Sequence, residues 1–314
     1  MAKFILKRVI YAFMTIFFLI AITFLMMQLL PGDPFTGDKA ISDVTMAALE
    51  AKYGLDKPLY EQFYLYVTNA MKGDLGISIK YNRPVTTVIA DAFPYSFELG
   101  MRSLVISIVF GIILGTFAAI KRNTNWDTGS MAFALIGVSV PSFIMGALLQ
   151  YFLSIKLRAW FGIDFFPVMG WDSEASKIIP AFALSFGSMA TVARLMRTSM
   201  LDVMGSDYIK TAKAKGLSGF QIVRKHALRN AIMPVVTVLG PIAASVLTGA
   251  FVVENIFNIP GMGKFFVLAI TENDYTLIAG TTVFYGAFLI VAMLLVDILY
   301  CVIDPRVKLG KQED

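Results

Sequence analysis

DYIKTAKAKGLSGFQIVRKHALRNAIMP, residues Asp207 to Pro234, is the longest strongly basic stretch in a chain otherwise built from apolar runs. Its punctuation predicts two short helices meeting at a glycine corner. Asp207 is placed to cap a helix from Tyr208 to Lys215, and Gly216 to end it in a left-handed turn. Ser218, followed three residues later by Gln221, reads as a capping box opening a second helix through Phe220, Ile222 and Val223. Neither helix reaches the roughly 12–15 residues that an isolated helix needs in water, so both require something to pack on. Thr211, Ala212 and Ala214 are small and alternate with Lys210, Lys213 and Lys215. Such a surface can sit deep in a groove while its ammonium groups meet acids at the rim. The competing reading is that the lysines only hold the loop on one side of a membrane.

Everything around this stretch is apolar. Of the 314 residues, 57% are hydrophobic, 26 are Phe and only 16% are charged; the mean hydropathy is +0.70. Soluble domains carry roughly 45–50% apolar residues, so the composition predicts a polytopic membrane protein. The net charge of +5 follows from cationic loops at one membrane face and implies no nucleic-acid partner. With one cysteine, Cys301, no intrachain disulfide can form, and with one histidine, His226, no multi-histidine metal site is possible.

Along the chain, Lys3, Lys7 and Arg8 precede an apolar run from about Val9 to Leu30, too long for the core of a signal peptide and read as a retained membrane helix. Residues 32–94 form the one sizeable polar insertion, slightly acidic in balance. There Ser42-Asp43 predicts a helix through Met46 to Lys52, and Pro58 another through Tyr60, Phe63, Tyr64 and Val67. The segment from Ile77 to Val88, interrupted by Asn82-Arg83-Pro84, reads as extended or looped. Five further apolar runs follow, at about 97–120, 130–155, 178–199, 230–254 and 276–303, each with the ~20 residues that span hydrocarbon. Lys121-Arg122, then Arg194, Arg197 and the basic stretch, then Arg306, Lys308 and Lys311 all fall on the side of the N-terminus, which predicts both termini inside the cell. The fold class is therefore an all-α polytopic membrane protein of six transmembrane helices. It has an extracytoplasmic insertion after the first helix and a cytoplasmic loop between the fourth and fifth. The divisions are 1–31, 32–94, 95–305 with the loop at 207–228, and a tail at 306–314.

The basic stretch resembles the coupling loop of ABC importer permeases, whose pattern is Glu-Ala-Ala, three residues, Gly, nine residues, Ile-x-Leu-Pro. Lys210-Thr211-Ala212 and Gly216 match its first half, with Lys210 in place of the glutamate. His226 and Leu228 stand at the Ile and Leu positions, and Arg229 replaces the proline. These departures are similar to the peptide and nickel branch. Tyr53-Gly54-Leu55-Asp56-Lys57-Pro58-Leu59, Asp74-Leu75-Gly76-Ile77-Ser78 and Pro84-Val85 resemble the outer region of the B-type oligopeptide permeases. Leu30 to Pro34, Pro141-Ser142-Phe143 and Asn258 to Gly263 extend the likeness over most of the chain. The resemblance implies a permease subunit of an ATP-driven peptide importer, embedded in the lipid bilayer. Its implied partners are a homologous second permease subunit, two cytoplasmic ATP-binding subunits and an extracytoplasmic substrate-binding protein. The ATPase-coupling residues it implies are Lys210, Thr211, Ala212, Lys213, Ala214, Lys215, Gly216 and Ser218.

No phosphate-cradling Gly-x-x-x-x-Gly-Lys-Ser/Thr loop occurs; Gly261-Met262-Gly263-Lys264-Phe265 lacks its spacing and its hydroxyl. No catalytic constellation, cofactor or metal is therefore predicted, and ATP hydrolysis is assigned to another subunit. Dipeptide, glutathione or nickel uptake are alternatives within the family. An ion-coupled secondary transporter would need ionisable groups near the midplane, of which the spans offer few. Three ionisable residues of the spans are singled out: Glu98 and Arg102, spaced for an i, i+4 pair at the outer edge of the second span, and Asp297, about two turns inside the last span and expected to pair locally near the cytoplasmic side. Pro141, Pro180, Pro234 and Pro241, with nearby glycines, lie in or at the edge of spans and read either as ordinary packing through small residues or, taken together, as broken helices around a cavity.

Overall fold

The computed structural model describes residues 2–29, 56–248 and 250–303, and among them every regular element is a helix. The chain divides into two compact units, residues 1–94 with 261–314, and residues 95–260. The helix predicted from Ser42-Asp43 and the junctions at 31/32 and 305/306 lie outside the described residues, as does the side chain of Asp297.

In the first unit, α1 (Ala2–Leu29) packs along α12 (Tyr275–Ile303). Gly286 makes that approach close: a β-carbon built there would fall 2.0 Å from Leu19 Cδ2. Helix α2 (Leu59–Met71) starts at Pro58, as expected, and packs on α1 through Phe63 and Tyr66 against Phe24. The segment after it corrects the sequence reading. Instead of remaining extended or looped to Val88, the chain enters helix α3 (Val85–Ile120) directly after Pro84, about twelve residues before the apolar run expected at 97. Val85, Val88, Ile89 and Ala92 are all buried; their spacing is a helical stripe, and Pro94 is carried inside the helix without ending it. Helix α11 (Met262–Thr271) packs on α12 and completes this unit.

The second unit is organised around α6 (Glu174–Met204), a 31-residue helix opened by a reciprocal Ser173–Ser176 capping box. Helices α4 (Asn125–Ser139), α5 (Ser142–Phe161) and α9 (Met233–Thr248) all pack on it. Hydrocarbon is as apolar as leucine, so close van der Waals packing rather than hydrophobic burial holds membrane helices together, and small residues permit it. Gly111 and Gly115 of α3 and Gly137 of α4 sit against α6. At Gly115 a built β-carbon falls 2.3 Å from the Ala193 carbonyl, and at Gly137 it falls 2.8 Å from Ala190 Cβ.

Among the described residues five spans are long and apolar enough to cross a membrane, and there are six if the bent pair of α4 and α5 counts as one. One of the five, Met233–Ile256, is made of α9 and α10 (Phe251–Ile256) together. Pro180 and Pro241 are carried inside α6 and α9, whereas the apolar run at 130–155 is α4 and α5, bent by 111°. The cause is Pro141: the residue before a proline is driven out of the helical region, and Val140 takes φ −93°, ψ 121°. Helix α5 contains a π-helical stretch, Gln150–Lys156, where the Gln150 amide donates to the Val168 carbonyl at 2.7 Å. The fifth run comprises α9 and α10, which together make one span, Met233–Ile256.

Candidate functional site

The basic stretch folds as two short helices at a corner. Helix α7 spans Asp207–Ala214, and α8 begins at Gly219–Ile222 and runs on through a π-helical stretch, Val223–Ala227, to Leu228–Ala231. The N-cap differs from expectation. Ser206, not Asp207, holds the extended cap conformation, and its hydroxyl donates to the Val203 carbonyl instead of capping α7. Asp207 lies in the first turn, where a carboxylate favours the helix dipole, and meets Lys210 Nζ at 2.8 Å. Both groups are well exposed, so the pair contributes little stability.

The end of α7 is as predicted. Gly216 has φ +80°. Its N–H donates to the Lys213 carbonyl at 2.9 Å, and the Leu217 N–H to the Ala212 carbonyl at 3.3 Å. These two bonds are those of a Schellman motif, which needs a left-handed residue where Gly216 stands. The capping box is also present: the Gln221 N–H donates to Ser218 Oγ at 3.4 Å, and the Ser218 N–H to Gln221 Oε1 at 3.0 Å. Asn230 ties the helices together by donating to the Tyr208 hydroxyl and the His226 carbonyl, each at 3.1 Å.

Packing sorts the corner into two faces. Ile209, Ala212 and Ile222 are buried in the core of the second unit. Lys210, Thr211, Lys213, Ala214, Lys215, Gly216 and Ser218 are exposed. Of the residues predicted for this site, Ala212 alone faces inward; the others form one continuous small-residue and lysine surface. Lys213 and Lys215 make no ion pair among the described residues. A cleft of about 590 Å³ lies beside the corner, lined by Ala119, Ile120, Arg122, Leu201, Met204 and Phe220 among others.

Other polar constellations lie away from the corner. The Glu98–Arg102 pair is real, with Arg102 donating through Nε and Nη2 to Glu98 Oε1 at 2.9 and 2.7 Å. It belongs to a larger network. Lys177 Nζ reaches Glu98 and Glu174, each at 3.1 Å, and the Trp171 indole donates to Glu98 Oε2 at 3.0 Å. The Lys177 ammonium also stands 5.4 Å from the Trp171 ring centroid. Two acids thus balance two bases where the middle of α3 meets the start of α6. In the first unit, buried Asp274 caps α12 by accepting from the Leu277 N–H at 3.0 Å. It also accepts from the Ser78 hydroxyl and from the N–H groups of Ile79 and Lys80, pinning the 78–80 turn. Burial pushes the nearby Tyr81 hydroxyl above its usual pKa, and the charges of Glu272 and Asp274 add to the effect. Arg197, read from sequence as a topology charge, makes a two-bonded ion pair with Asp127 at 2.6 and 2.7 Å. Sequence reasoning missed Asp127, Trp171 and Asp274 because their partners lie 70 to 196 residues away.

Residues 111–309 match the family model described as "Binding-protein-dependent transport system inner membrane component", and residues 1–100 match the model of the N-terminal region of such membrane components. The chain is 45% identical to the dipeptide transport system permease protein DppB of Bacillus subtilis, over 99% of this chain and 100% of that protein. It is 43% identical to the oligopeptide transport system permease protein OppB of Haemophilus influenzae, over 98% and 100%. Among solved structures, it is similar to an inward-facing form of the MetNI methionine ABC transporter. The TM-score is 0.54 at 16% identity, covering 69% of this chain and 96% of that one. At such low identity the structural likeness speaks for the fold alone.

Proposed function

The chain belongs to the family of inner membrane components of binding-protein-dependent transport systems, and from that premise we propose that it is the permease subunit of an ATP-driven peptide importer whose ATP-binding subunits dock on the corner at 207–218. The observation that carries this reading is the exposed face of α7. It combines small residues with Lys213 and Lys215 and is closed by the left-handed turn at Gly216. It also stands two residues beyond α6, the central helix of its unit. A groove with an acidic rim on a partner fits such a surface, and a displacement of α7 passes directly into α6. The peptide class comes from the relatives, which are named for dipeptide and oligopeptide transport.

The full assembly in this reading holds a homologous second permease, two cytoplasmic ATP-binding subunits and an extracytoplasmic binding protein that delivers substrate. Lys210, Thr211, Ala212, Lys213, Ala214, Lys215, Gly216 and Ser218 form the coupling surface, with Ala212 acting from beneath as a packing residue. Both termini and the corner lie in the cytoplasm, and the 32–94 insertion lies outside.

The test is reconstitution of this chain with the subunits encoded beside it, in vesicles, with a labelled dipeptide and a labelled pentapeptide. ATP-dependent accumulation of at least one peptide, requiring every subunit, is expected. Uptake driven by an ion gradient without ATP-binding subunits refutes the proposal. Single cysteines at Lys80 and Lys213, in a Cys301→Ser background, are expected to react with an impermeant reagent from opposite sides. Labelling of both in intact cells overturns the topology.

A further inference from the structure

We propose that Asp127 and Arg197 are positioning residues for transport coupling: their ion pair sets the register of α6 against α4 and the α3–α4 connector, so that these elements move together when α7 moves. The inference rests on the coupling role proposed above for α7.

Arg197 lies seven residues before the end of α6 at Met204, and α7 begins at Asp207. Its guanidinium donates through Nε to Asp127 Oδ1 at 2.6 Å and through Nη2 to Asp127 Oδ2 at 2.7 Å. Two parallel bonds fix the relative orientation of the groups as well as their separation. Asp127 is 4% exposed and lies in the first turn of α4. Its Oδ2 also accepts the Asn123 N–H at 3.0 Å. Asn123 sits at φ +61° in the short connector between α3 and α4. That connector is held by its own bonds, from the Lys121 N–H to the Phe117 carbonyl and from the Thr124 N–H to the Lys121 carbonyl. The charge of Arg122, in the same connector, also acts on Asp127. One carboxylate therefore joins the connector, α4 and α6.

The rest of this helix contact constrains differently: the Ser107 hydroxyl donates one bond from α3 to the Ser185 carbonyl of α6 at 3.1 Å, and the remainder is close packing. Gly111, Gly115 and Gly137 bring α3 and α4 against α6 through small residues and backbone. Such faces resist separation and large displacement through dispersion contacts, but these contacts are individually weak and, unlike a two-bonded ion pair, fix no bond direction. The ion pair is directional. Buried ion pairs are also poor sources of net stability, and similar-sized apolar residues often replace them without loss of folding. What the pair supplies here is register, close to where α7 enters α6.

The test uses the complete transporter in vesicles and two variants. The double replacement Asp127→Leu with Arg197→Met removes both charges while filling the space. Arg197→Lys keeps the charge and removes the forked geometry. Three quantities are read: yield of the assembled complex, ATP turnover, and peptide imported per ATP hydrolysed. Normal assembly with continued ATP turnover, and a fall of about two- to thirtyfold in peptide per ATP, is expected for both variants. A double variant with the wild-type ratio overturns the proposal, as does failure of both variants to assemble, which marks the pair as a folding requirement. A wild-type complex that imports no peptide on ATP sinks the broader function instead, so the two failures are distinguishable.

Discussion

Replacing Gly216 isolates the geometry of the corner from its charge. A β-carbon built at this position meets nothing within 4 Å, so substitution introduces no clash. The whole cost comes from holding φ +80° with a side chain present. For an L-residue that cost is roughly 1–2 kcal/mol, with a β-branched side chain at the upper end. A destabilisation of that size changes a conformational ratio by about 5- to 30-fold, in favour of a straightened form that lacks the Gly216–Lys213 and Leu217–Ala212 bonds. Asparagine tolerates this region, and the four described non-glycine residues with positive φ, Asn82, Asn123, Asn258 and Asn273, are all asparagines. The series Gly216→Asn, Gly216→Ala, Gly216→Val should therefore lower activity in that order while membrane insertion stays unchanged. The assay is co-purification of the ATP-binding subunits and peptide-stimulated ATP turnover in reconstituted vesicles. A triple Lys210→Gln, Lys213→Gln, Lys215→Gln variant serves as the charge control and should do less harm than Gly216→Val. Normal assembly and transport in Gly216→Val, or equal losses in the Asn and Val variants, refutes the reasoning.

The remaining predictions concern bonds and packing elsewhere in the chain. Ser218→Ala removes the capping box and should cost about 1 kcal/mol locally, read as faster hydrogen exchange at the Gln221 amide and restored by Ser218→Asp. Asp274→Ala removes the cap of α12 and strands the N–H groups of Ile79 and Lys80. A loss of about 2–3 kcal/mol follows from cap and desolvation together, with a lower melting midpoint in detergent and faster proteolysis near Lys80. Among the glycines, Gly115→Ala drives its methyl into the Ala193 backbone carbonyl and should lower that midpoint most. Gly129→Ala has open space in the middle of α4 and should leave the midpoint unchanged or raise it by the helix preference of alanine over glycine, about 1 kcal/mol. A Gly115→Ala protein as stable as the Gly129→Ala protein contradicts the close-approach account.

What could be read from the sequence depended on how far apart the interacting groups stand. The corner was legible because its determinants lie within a few residues: the left-handed glycine, the Ser218–Gln221 box, and lysines spaced by small residues. The cap one residue early, at Ser206, is the kind of error that two adjacent capping residues invite. The start of α3 had a local signal as well, since Val85, Val88, Ile89 and Ala92 repeat every three or four residues. That stripe was masked by Asn82-Arg83-Pro84, read as interrupting the segment although Pro84 stands just before the helix. Asp127 and Asp274 show where local reading stops. Each lies at a helix start behind an asparagine of positive φ: Asp127 accepts the Asn123 amide, and Asp274 follows Asn273 and caps α12. That half of their role is a turn-and-cap signal present in Asn-Thr-Asn-Trp-Asp and Asn-Asp-Tyr-Thr. The other half is the choice of Arg197 and of the 78–80 turn as distant partners. It is fixed by close helix packing that depends on glycines such as Gly115 and Gly280, where a built β-carbon falls 2.3 Å from Ala193 O and 2.7 Å from Val85 Cγ1. A glycine in an apolar run looks the same whether it faces lipid or another backbone, so the long-range ion pairs stayed hidden until the helices were in place.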